Sequence, residues 1–358
     1  MSLLKKCVGL DPNFRKPLDI GLIWEGNYWD DQDVHDCCDV DWETCEILVR
    51  KISKALLLPT APTDGSSKEN EKVLILLPKI MQLPLTILAA YRAGIMAIVM
   101  DPLTFKTSTL QSILLAEQPK FVVTVDAFWQ AQELIEVKST VENLPEMDET
   151  QLLVIRHVAP NNGVPPPKRH YPARRPSYRT SLCLRDGKDW EWSTVMAGVT
   201  VGEYSKEFED GWKWDQDDVI MKLVDEEGKI HTVRHGELLE KLDAKKAGLE
   251  TKIAEKNGPN IENIMVMDAP KDLETLTNFL VPWYMGKTMT LYEGPLSYPD
   301  SSRLAQVISK HNVNILLGSG TYSIPNPEYL KFFAVPSLKI IDMPDFPIVS
   351  SYFLNFQQ

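Results

Sequence analysis

The chain has 358 residues, a length that accommodates two or three domains of ordinary size. Hydrophobic residues make up 44% and charged residues 25%, a balance typical of globular proteins that excludes a largely disordered or collagen-like chain. Because 50 acidic residues outnumber 38 basic ones and the net charge is −12, we expect no nucleic-acid partner.

The first ten residues and the cysteines bear on location. No apolar run approaches the roughly 20 residues that span a bilayer, so the chain is not predicted to be transmembrane. Five cysteines are an odd number, and the first ten residues lack a hydrophobic stretch of signal-peptide length, which favours an intracellular, reducing compartment. Lys5 and Lys6, without an acid among these ten, leave a mitochondrial location open beside a cytoplasmic one. We expect a soluble or peripheral protein, and association with a membrane complex stays open.

The first half of the chain alternates short apolar strands with helices. After a strand at 20–24, apolar residues from Trp42 to Leu56 recur every three or four positions, which predicts a helix with Asp41 as its N-cap. Strands are then predicted at 72–77, 96–100, 120–125 and 152–156, and helices at 80–93 (closed by Gly94), 103–117 and 127–141. This alternation predicts a parallel sheet covered on both faces.

The alternation stops at residue 159. Residues 160–185 contain three consecutive prolines and clustered basic side chains, which predicts irregular structure. Residues 186–217 are acidic and rich in tryptophan, and these tryptophans form either a binding platform or a cover over the sheet. A second alternating block has predicted strands at 264–267, 288–292, 313–317 and 338–341, and predicted helices at 237–256, 273–284 and 301–310.

These patterns divide the chain into five predicted parts. They are an N-terminal extension with the first strand (1–40), a first α/β subdomain (41–158), the Pro/Arg- and Trp-rich irregular segment (159–217), a second, incomplete α/β subdomain (218–345) and a C-terminal tail (346–358).

Three stretches resemble a known family. They lie at 23–26, 76–94 and 283–316, and the last contains Trp-Tyr-Met-Gly at 283–286 and Leu-Tyr-Glu-Gly-Pro at 291–295. In order and spacing the chain resembles acetyl-CoA synthetase of the adenylate-forming acyl-CoA ligase family over residues 20–350. The resemblance implies an α/β fold: part of the family's N-terminal domain, with mostly parallel sheets flanked by helices and a Pro/Arg-rich irregular insertion. Since the rest of that domain and the small C-terminal domain with the adenylation lysine have no counterpart, it also implies truncation.

The family activates acetate with ATP and transfers the acetyl group to CoA. Its phosphate loop is rich in Thr, Ser and Gly and ends in Gly-Lys-Pro-Lys-Gly, so that backbone N–H groups, hydroxyls and a lysine surround the phosphates. In the matching segment, 223–235, only Gly228, Lys229, Val233 and His235 fit. Three carboxylates (Asp225, Glu226, Glu227) replace the small residues before Gly228. Two like charges 4 Å apart repel by about 4 kcal/mol at an effective dielectric constant of 20, so we expect no bound ATP or other cofactor.

Other family motifs are also replaced. Of the family turn matching 268–276 only Asp268 remains, and residues 318–321 and 345–347 depart from the Thr-Ala-Pro-Thr and Gly-Glu-Pro motifs. The resemblance therefore implies a degenerate pseudoenzyme without catalytic residues.

The expected role is that of a structural or interaction subunit of a larger assembly. A protein partner would cover the face that the missing residues leave, from Val313 to Phe356. The alternatives are an AMP-dependent acyl-CoA ligase that needs a second chain and a non-catalytic nucleotide or CoA sensor.

Two further clusters contain potential metal ligands or clustered basic side chains. The group of His35, Cys37, Cys38 and Cys45 lacks the Cys-x-x-Cys spacing of a zinc site, and the pair His231 and His235 lacks a metalloprotease glutamate, so no metal is expected. The basic segment from Lys168 to Arg179 is interpreted as a solvated or internally docked loop, a partner-binding arm, or a lipid or RNA contact.

Overall fold

The computed structural model describes residues 2–10, 15–27, 36–58, 71–148, 150–159, 182–201, 211–256, 260–320, 322 and 335–343. The helices in these ranges are α1 (Leu3–Cys7), α2 (Trp42–Leu57), α3 (Gln82–Ala93), α4 (Thr107–Glu117), α5 (Val137–Glu142), α6 (Trp192–Gly198), α7 (His235–Glu255), α8 (Leu273–Tyr284) and α9 (Arg303–Lys310). The strands are β1 (Ile20–Glu25), β2 (Cys37–Asp41), β3 (Lys72–Leu76), β4 (Met96–Met100), β5 (Phe121–Val125), β6 (Phe128–Gln130), β7 (Glu133–Ile135), β8 (Gln151–Ile155), β9 (Asp189–Glu191), β10 (Val219–Val224), β11 (Ile230–Arg234), β12 (Asn263–Val266), β13 (Thr288–Tyr292), β14 (Ile315–Leu317) and β15 (Ile340–Asp342).

Two sheets form the framework. The six-stranded sheet has the order β15-β14-β12-β13-β1-β2, and all its pairs are parallel except β1 with β2. The seven-stranded sheet has the order β11-β10-β4-β3-β5-β8-β9, and all its pairs are parallel except β10 with β11. The predicted α/β fold with mostly parallel sheets flanked by helices is confirmed.

The helix ends follow the local sequence. Asp41 caps α2, since its side chain accepts the backbone N–H of Thr44 at 2.7 Å. Gly94 ends α3 with φ of 75°, a left-handed conformation that glycine adopts without the penalty other residues suffer. Both features agree with the predictions from the sequence.

The strands are buried because helices cover the sheets. Strand β5 is buried at all five positions, and β3 and β4 at four of five. Helix α3 is buried at ten of its twelve residues, which places it between the sheet and α2 and explains its nearly continuous apolar sequence.

One predicted helix is wrong. Residues 127–141 form an antiparallel hairpin of β6 and β7 followed by the short helix α5. The hairpin turn contains Ala131 with φ of 54°, and Asn27 holds it by donating to the Ala131 carbonyl at 2.8 Å and accepting its N–H at 3.0 Å. This partner lies 104 positions earlier, so local periodicity does not reveal it.

Part of the predicted irregular segment contains regular structure. Residues 160–181, which include Lys168 to Arg179, lie outside the described residues. Within 182–201 the prediction of irregular structure is wrong, because β9 adds to the seven-stranded sheet and α6 follows it. The buried carboxylate of Asp189 forms ion pairs with Arg185 at 2.8 Å and with Lys138 at 3.0 Å. These ion pairs hold β9 in place.

The strands pair across the predicted subdomains. Strands β10 and β11, from the predicted second subdomain, belong to the seven-stranded sheet, and β1, from the predicted extension, lies inside the six-stranded sheet. Of the residues described, no helix combines the length and apolar character that a membrane span requires.

Candidate functional site

The carboxyl ends of the two sheets meet. In open α/β sheets ligands bind outside the carboxyl ends of the strands, so this edge is the expected position of a site. Polar residues follow the strands here within one to three positions: Lys79 after β3, Asp101 after β4, His157 after β8, Asp268 after β12 and Glu293 after β13. We call this group the inter-sheet seam.

Lys79 bridges the two sheets. Its ammonium donates to the carbonyl of Met267 at 2.6 Å, which joins the ends of β3 and β12. Burial lowers the pKa of Lys79, while the charges of Asp101, Asp268 and Glu293 oppose that shift. Burial likewise raises the pKa of Asp101, against a hydrogen bond from the Leu103 N–H at 2.9 Å. The Lys79 ammonium and the Asp101 carboxylate are thus desolvated, and each favours the charged form of the other.

A second bridge joins β8 to β13. His157 Nε2 lies 2.8 Å from Glu293 Oε1, and Trp24 Nε1 donates to Glu293 Oε2 at 3.1 Å. The Trp24 and His157 rings pack edge to face with centroids 5.6 Å apart. Both oxygens of the Glu293 carboxylate are engaged.

Glu25 is the most deeply buried acid at this edge. The Arg303 guanidinium, the Lys310 ammonium and the His311 ring contact its carboxylate at 2.7, 2.7 and 2.8 Å. Burial by itself would raise the pKa of Glu25, yet the hydrogen bond from His311, the charge of Arg303 and the hydrogen bond from Lys310 lower it to about 2. This ionised carboxylate anchors α9 to the end of β1.

Backbone amides at the edge already have acidic partners. Asp126 accepts the N–H groups of Ala127, His157, Val158 and Ala159 at 2.6–3.1 Å. Asp268 accepts the Ser319 N–H at 2.6 Å. Clusters of backbone N–H groups bind anions, and here side-chain carboxylates occupy them.

The matching phosphate segment forms a tight β10–β11 hairpin. The Asp225 carboxylate accepts the backbone N–H groups of Glu227 at 3.1 Å and Lys229 at 2.9 Å, and it contacts His231 Nε2 at 2.7 Å. Burial by itself would raise the pKa of Asp225, but the hydrogen bonds from His231, Lys229 and Glu227 together lower it below its usual value. Gly228 takes φ of 87° to complete the turn.

Of the four family-matching residues, His235 is not brought together with Gly228 and Lys229. Gly228 and Lys229 lie in the turn, where Lys229 is exposed, whereas His235 is the first residue of α7 and is buried. The six positions of extended chain between Lys229 and His235 separate them by about 20 Å. His235 Nε2 lies 3.0 Å from the Tyr91 hydroxyl, an internal contact.

The other sequence candidates lie apart from the seam. Cys45 is buried on the apolar face of α2, while His35 lies outside the described residues. Trp192 and Trp214 pack against the core, whereas Trp190 and Trp212 are nearly half exposed. Among the described residues no group of three His, Cys, Asp or Glu side chains is arranged to hold a metal ion.

Sequence reasoning missed most of the seam. Lys79, Asp101 and His157 received no role, although each follows the end of a predicted strand, the position at which parallel sheets place functional side chains. Glu293 stands out in the sequence only as part of the Leu-Tyr-Glu-Gly-Pro motif at 291–295.

Comparison with known proteins shows similarity to two acyl-CoA synthetases. No family model matches the chain. Acetyl-coenzyme A synthetase of Pyrobaculum arsenaticum is 24% identical over 258 residues, which are 71% of this chain and 34% of that enzyme. Acetoacetyl-CoA synthetase from Streptomyces lividans superposes with a TM-score of 0.69 and 14% identity over 100% of this chain and 50% of that one. The chain thus spans a third to a half of the synthetases it matches.

Two nematode proteins match at much higher identity. The proteins of Caenorhabditis elegans described as uncharacterized proteins ZK112.6 and ZK112.5 are 75% and 61% identical over 142 and 145 residues. These matches cover 40% and 39% of this chain and 95% and 91% of the two proteins. The chain is an acyl-CoA synthetase-like protein and belongs to the same family as ZK112.6 and ZK112.5.

Proposed function

We propose that the chain is a non-catalytic acyl-CoA synthetase-like protein that serves as an interaction subunit of a larger intracellular assembly, mitochondrial or cytoplasmic. The observation that carries the proposal is the β10–β11 turn, in which the Asp225 carboxylate occupies the N–H groups of Glu227 and Lys229. A bound phosphate would have to displace this carboxylate and approach two further ones, Glu226 and Glu227, at a cost of about 4 kcal/mol for each close pair of like charges.

The inter-sheet seam gives independent support. A ligand at the carboxyl ends needs free polar groups, yet Lys79 is bonded to Met267 and Glu293 to His157 and Trp24. Lys271 and Glu226 add an ion pair at 2.8 Å between the hairpin turn and the loop after β12. These bonds fasten the two sheets to each other across the crevice that would receive a substrate.

An interaction role fits the six-stranded sheet. Strand β15 pairs on one side only, with β14, as far as the described residues extend. An open strand edge is a template for a partner, and this edge lies within the predicted contact region from Val313 to Phe356.

Catalysis is tested directly. The purified chain is assayed for acetate-dependent pyrophosphate exchange with ATP and for acetyl-CoA formation, with an acetyl-CoA synthetase as the positive control. ATP, AMP and CoA are titrated calorimetrically. We expect no turnover and no ATP binding. Acetate-dependent pyrophosphate exchange would establish a ligase instead, and AMP or CoA binding without turnover would establish a sensor.

The interaction role is tested on the endogenous protein. Gradient sedimentation followed by mass spectrometry of the co-migrating proteins measures its native size. We expect migration within a large complex of fixed composition. Migration near the 40.6 kDa of the chain alone would refute the role.

A further inference from the structure

Two ionic contacts at the seam join one sheet to the other. His157, after β8, contacts Glu293, after β13, at 2.8 Å, and Lys271, after β12, pairs with Glu226 of the β10–β11 turn at 2.8 Å. An imidazole titrates at about pH 6.5. Burial would lower the pKa of Lys271, but the hydrogen bond and the charge of Glu226 raise it above its usual value. Between pH 6 and 8 the first contact therefore contains a group that changes its charge, whereas Lys271 keeps its proton.

The His157–Glu293 pair is shielded from water. The two side chains are 12% and 3% exposed. His157 Nε2 lies 2.8 Å from one Glu293 oxygen and 3.1 Å from the other, which also accepts Trp24 Nε1 at 3.1 Å. Asp126 accepts the backbone N–H of His157 at 2.8 Å and holds that residue at the end of β8. A change of charge on the ring thus acts on a desolvated bond, where electrostatic interactions are strongest.

The neighbouring titratable groups do not replace His157 in this role. The charge of Glu293 acts on Lys79, a cation that favours the ionised carboxylate in turn. Burial raises the pKa of Tyr292 to about 12, so this phenol stays neutral. Arg156 is directed to Glu191 of β9 at 3.5 Å. The other histidines that the structure describes bond elsewhere: His231 to Asp225, His235 to Tyr91 and His311 to Glu25.

We propose that the His157–Glu293 pair is a pH-dependent lock between the two sheets, which holds them more firmly at pH 6 than at pH 8. A neutral imidazole gives Glu293 an ordinary hydrogen bond, whereas an imidazolium gives a charge-assisted bond that is about twice as strong. Since Glu293 favours the protonated ring in the folded chain, this stabilisation is present below about pH 6.5 and is lost as the pH rises. The pH thereby controls how often the seam opens.

A double-mutant cycle measures the strength of the lock. The variants His157→Gln, Glu293→Gln and their combination are unfolded in urea at pH 6 and pH 8. The coupling between the two positions, expressed as a ratio of unfolding equilibrium constants, should be about fivefold larger at pH 6. The matched control is the cycle of Lys271→Gln with Glu226→Gln, whose coupling should be the same at both pH values. Equal coupling of His157 and Glu293 at pH 6 and pH 8 would overturn the proposal.

Native-state hydrogen exchange measures opening of the seam apart from global unfolding. The amides of residues 157–159, which donate to Asp126, report on it. After correction for the intrinsic rates, they should exchange about fivefold more slowly at pH 6 than at pH 8 in the wild type and equally in His157→Gln. A pH difference that persists in His157→Gln would assign the effect to another group. These measurements need neither nucleotide nor partner, so the lock and the proposed function fail separately.

Discussion

Replacement of Glu25 by glutamine should destabilise the protein by about 3 kcal/mol at pH 7. Its carboxylate lies within 2.8 Å of Arg303, Lys310 and His311, and the Arg303 and Glu25 side chains are 0% and 1% exposed. The pKa falls from 4.5 to about 2 on folding, and this difference of about 2.5 corresponds to about 3 kcal/mol. Glutamine keeps the volume but leaves the Arg303 charge buried without its counter-ion, which costs about 3–5 kcal/mol in comparable cases.

The sign of the pH dependence follows from the lowered pKa. Ionised Glu25 contributes its full stabilisation above pH 4.5, the value in the unfolded chain, and loses it as the pH falls through about 2. The difference between wild type and Glu25→Gln should therefore shrink from about 3 kcal/mol at pH 7 to roughly half of that near pH 3.

Urea denaturation of both proteins, followed by tryptophan fluorescence at pH 7 and pH 3, measures these values. The matched control is Glu250→Gln, which removes the exposed i,i+4 pair with Lys246 at 3.8 Å and should change stability by less than about 0.5 kcal/mol. A loss below about 1 kcal/mol for Glu25→Gln at pH 7, or one that is equal at both pH values, would refute the reasoning.

Three further predictions concern other parts of the chain. Asp225→Ala should lower the free energy of unfolding by about 1–2 kcal/mol, since two turn amides lose their acceptor; an unchanged urea midpoint would contradict the hairpin geometry. Gly94→Ala should cost about 2 kcal/mol, because the position has φ of 75° and an added Cβ would lie 2.5 Å from the Trp212 ring; thermal unfolding measures this loss, and Gly248→Ala, where a Cβ meets open space, is the control. Burial raises the pKa of Cys7 to about 12. At pH 8 iodoacetamide should therefore modify the exposed Cys183 in the native protein long before Cys7. Equal labelling rates of the two cysteines, measured by mass spectrometry, would show that α1 is not packed as described.

Most helices and strands could be predicted from the sequence, whereas the contacts between residues far apart in the chain could not. The strand at 96–100 and the helix at 273–284 have the predicted bounds, because buried strands and amphipathic helices carry their signal in consecutive residues. The sequence predicts a helix where the structure has the hairpin at 128–135, because the hairpin turn is held by Asn27, far away in the chain.

The candidate site likewise has features that a short sequence segment reveals and contacts that it does not. Loss of the phosphate motif is visible in the letters Asp-Glu-Glu at 225–227, and the structure adds that Asp225 takes the turn amides. Which strand ends face each other is a property of topology, so the contacts of Lys79 with Met267 and of His157 with Glu293 could not be inferred.

The position of β1 has a consequence for synthesis on the ribosome. Leu22 in β1 pairs with Met289 in β13, and the 267 positions between them take roughly 15 to 50 s to translate at 5–20 residues per second. During that interval β1 has only β2 as a neighbour and presents its other edge to solvent or to a chaperone. Nascent chains of this protein should therefore depend on chaperones more than chains whose sheets close in order of synthesis.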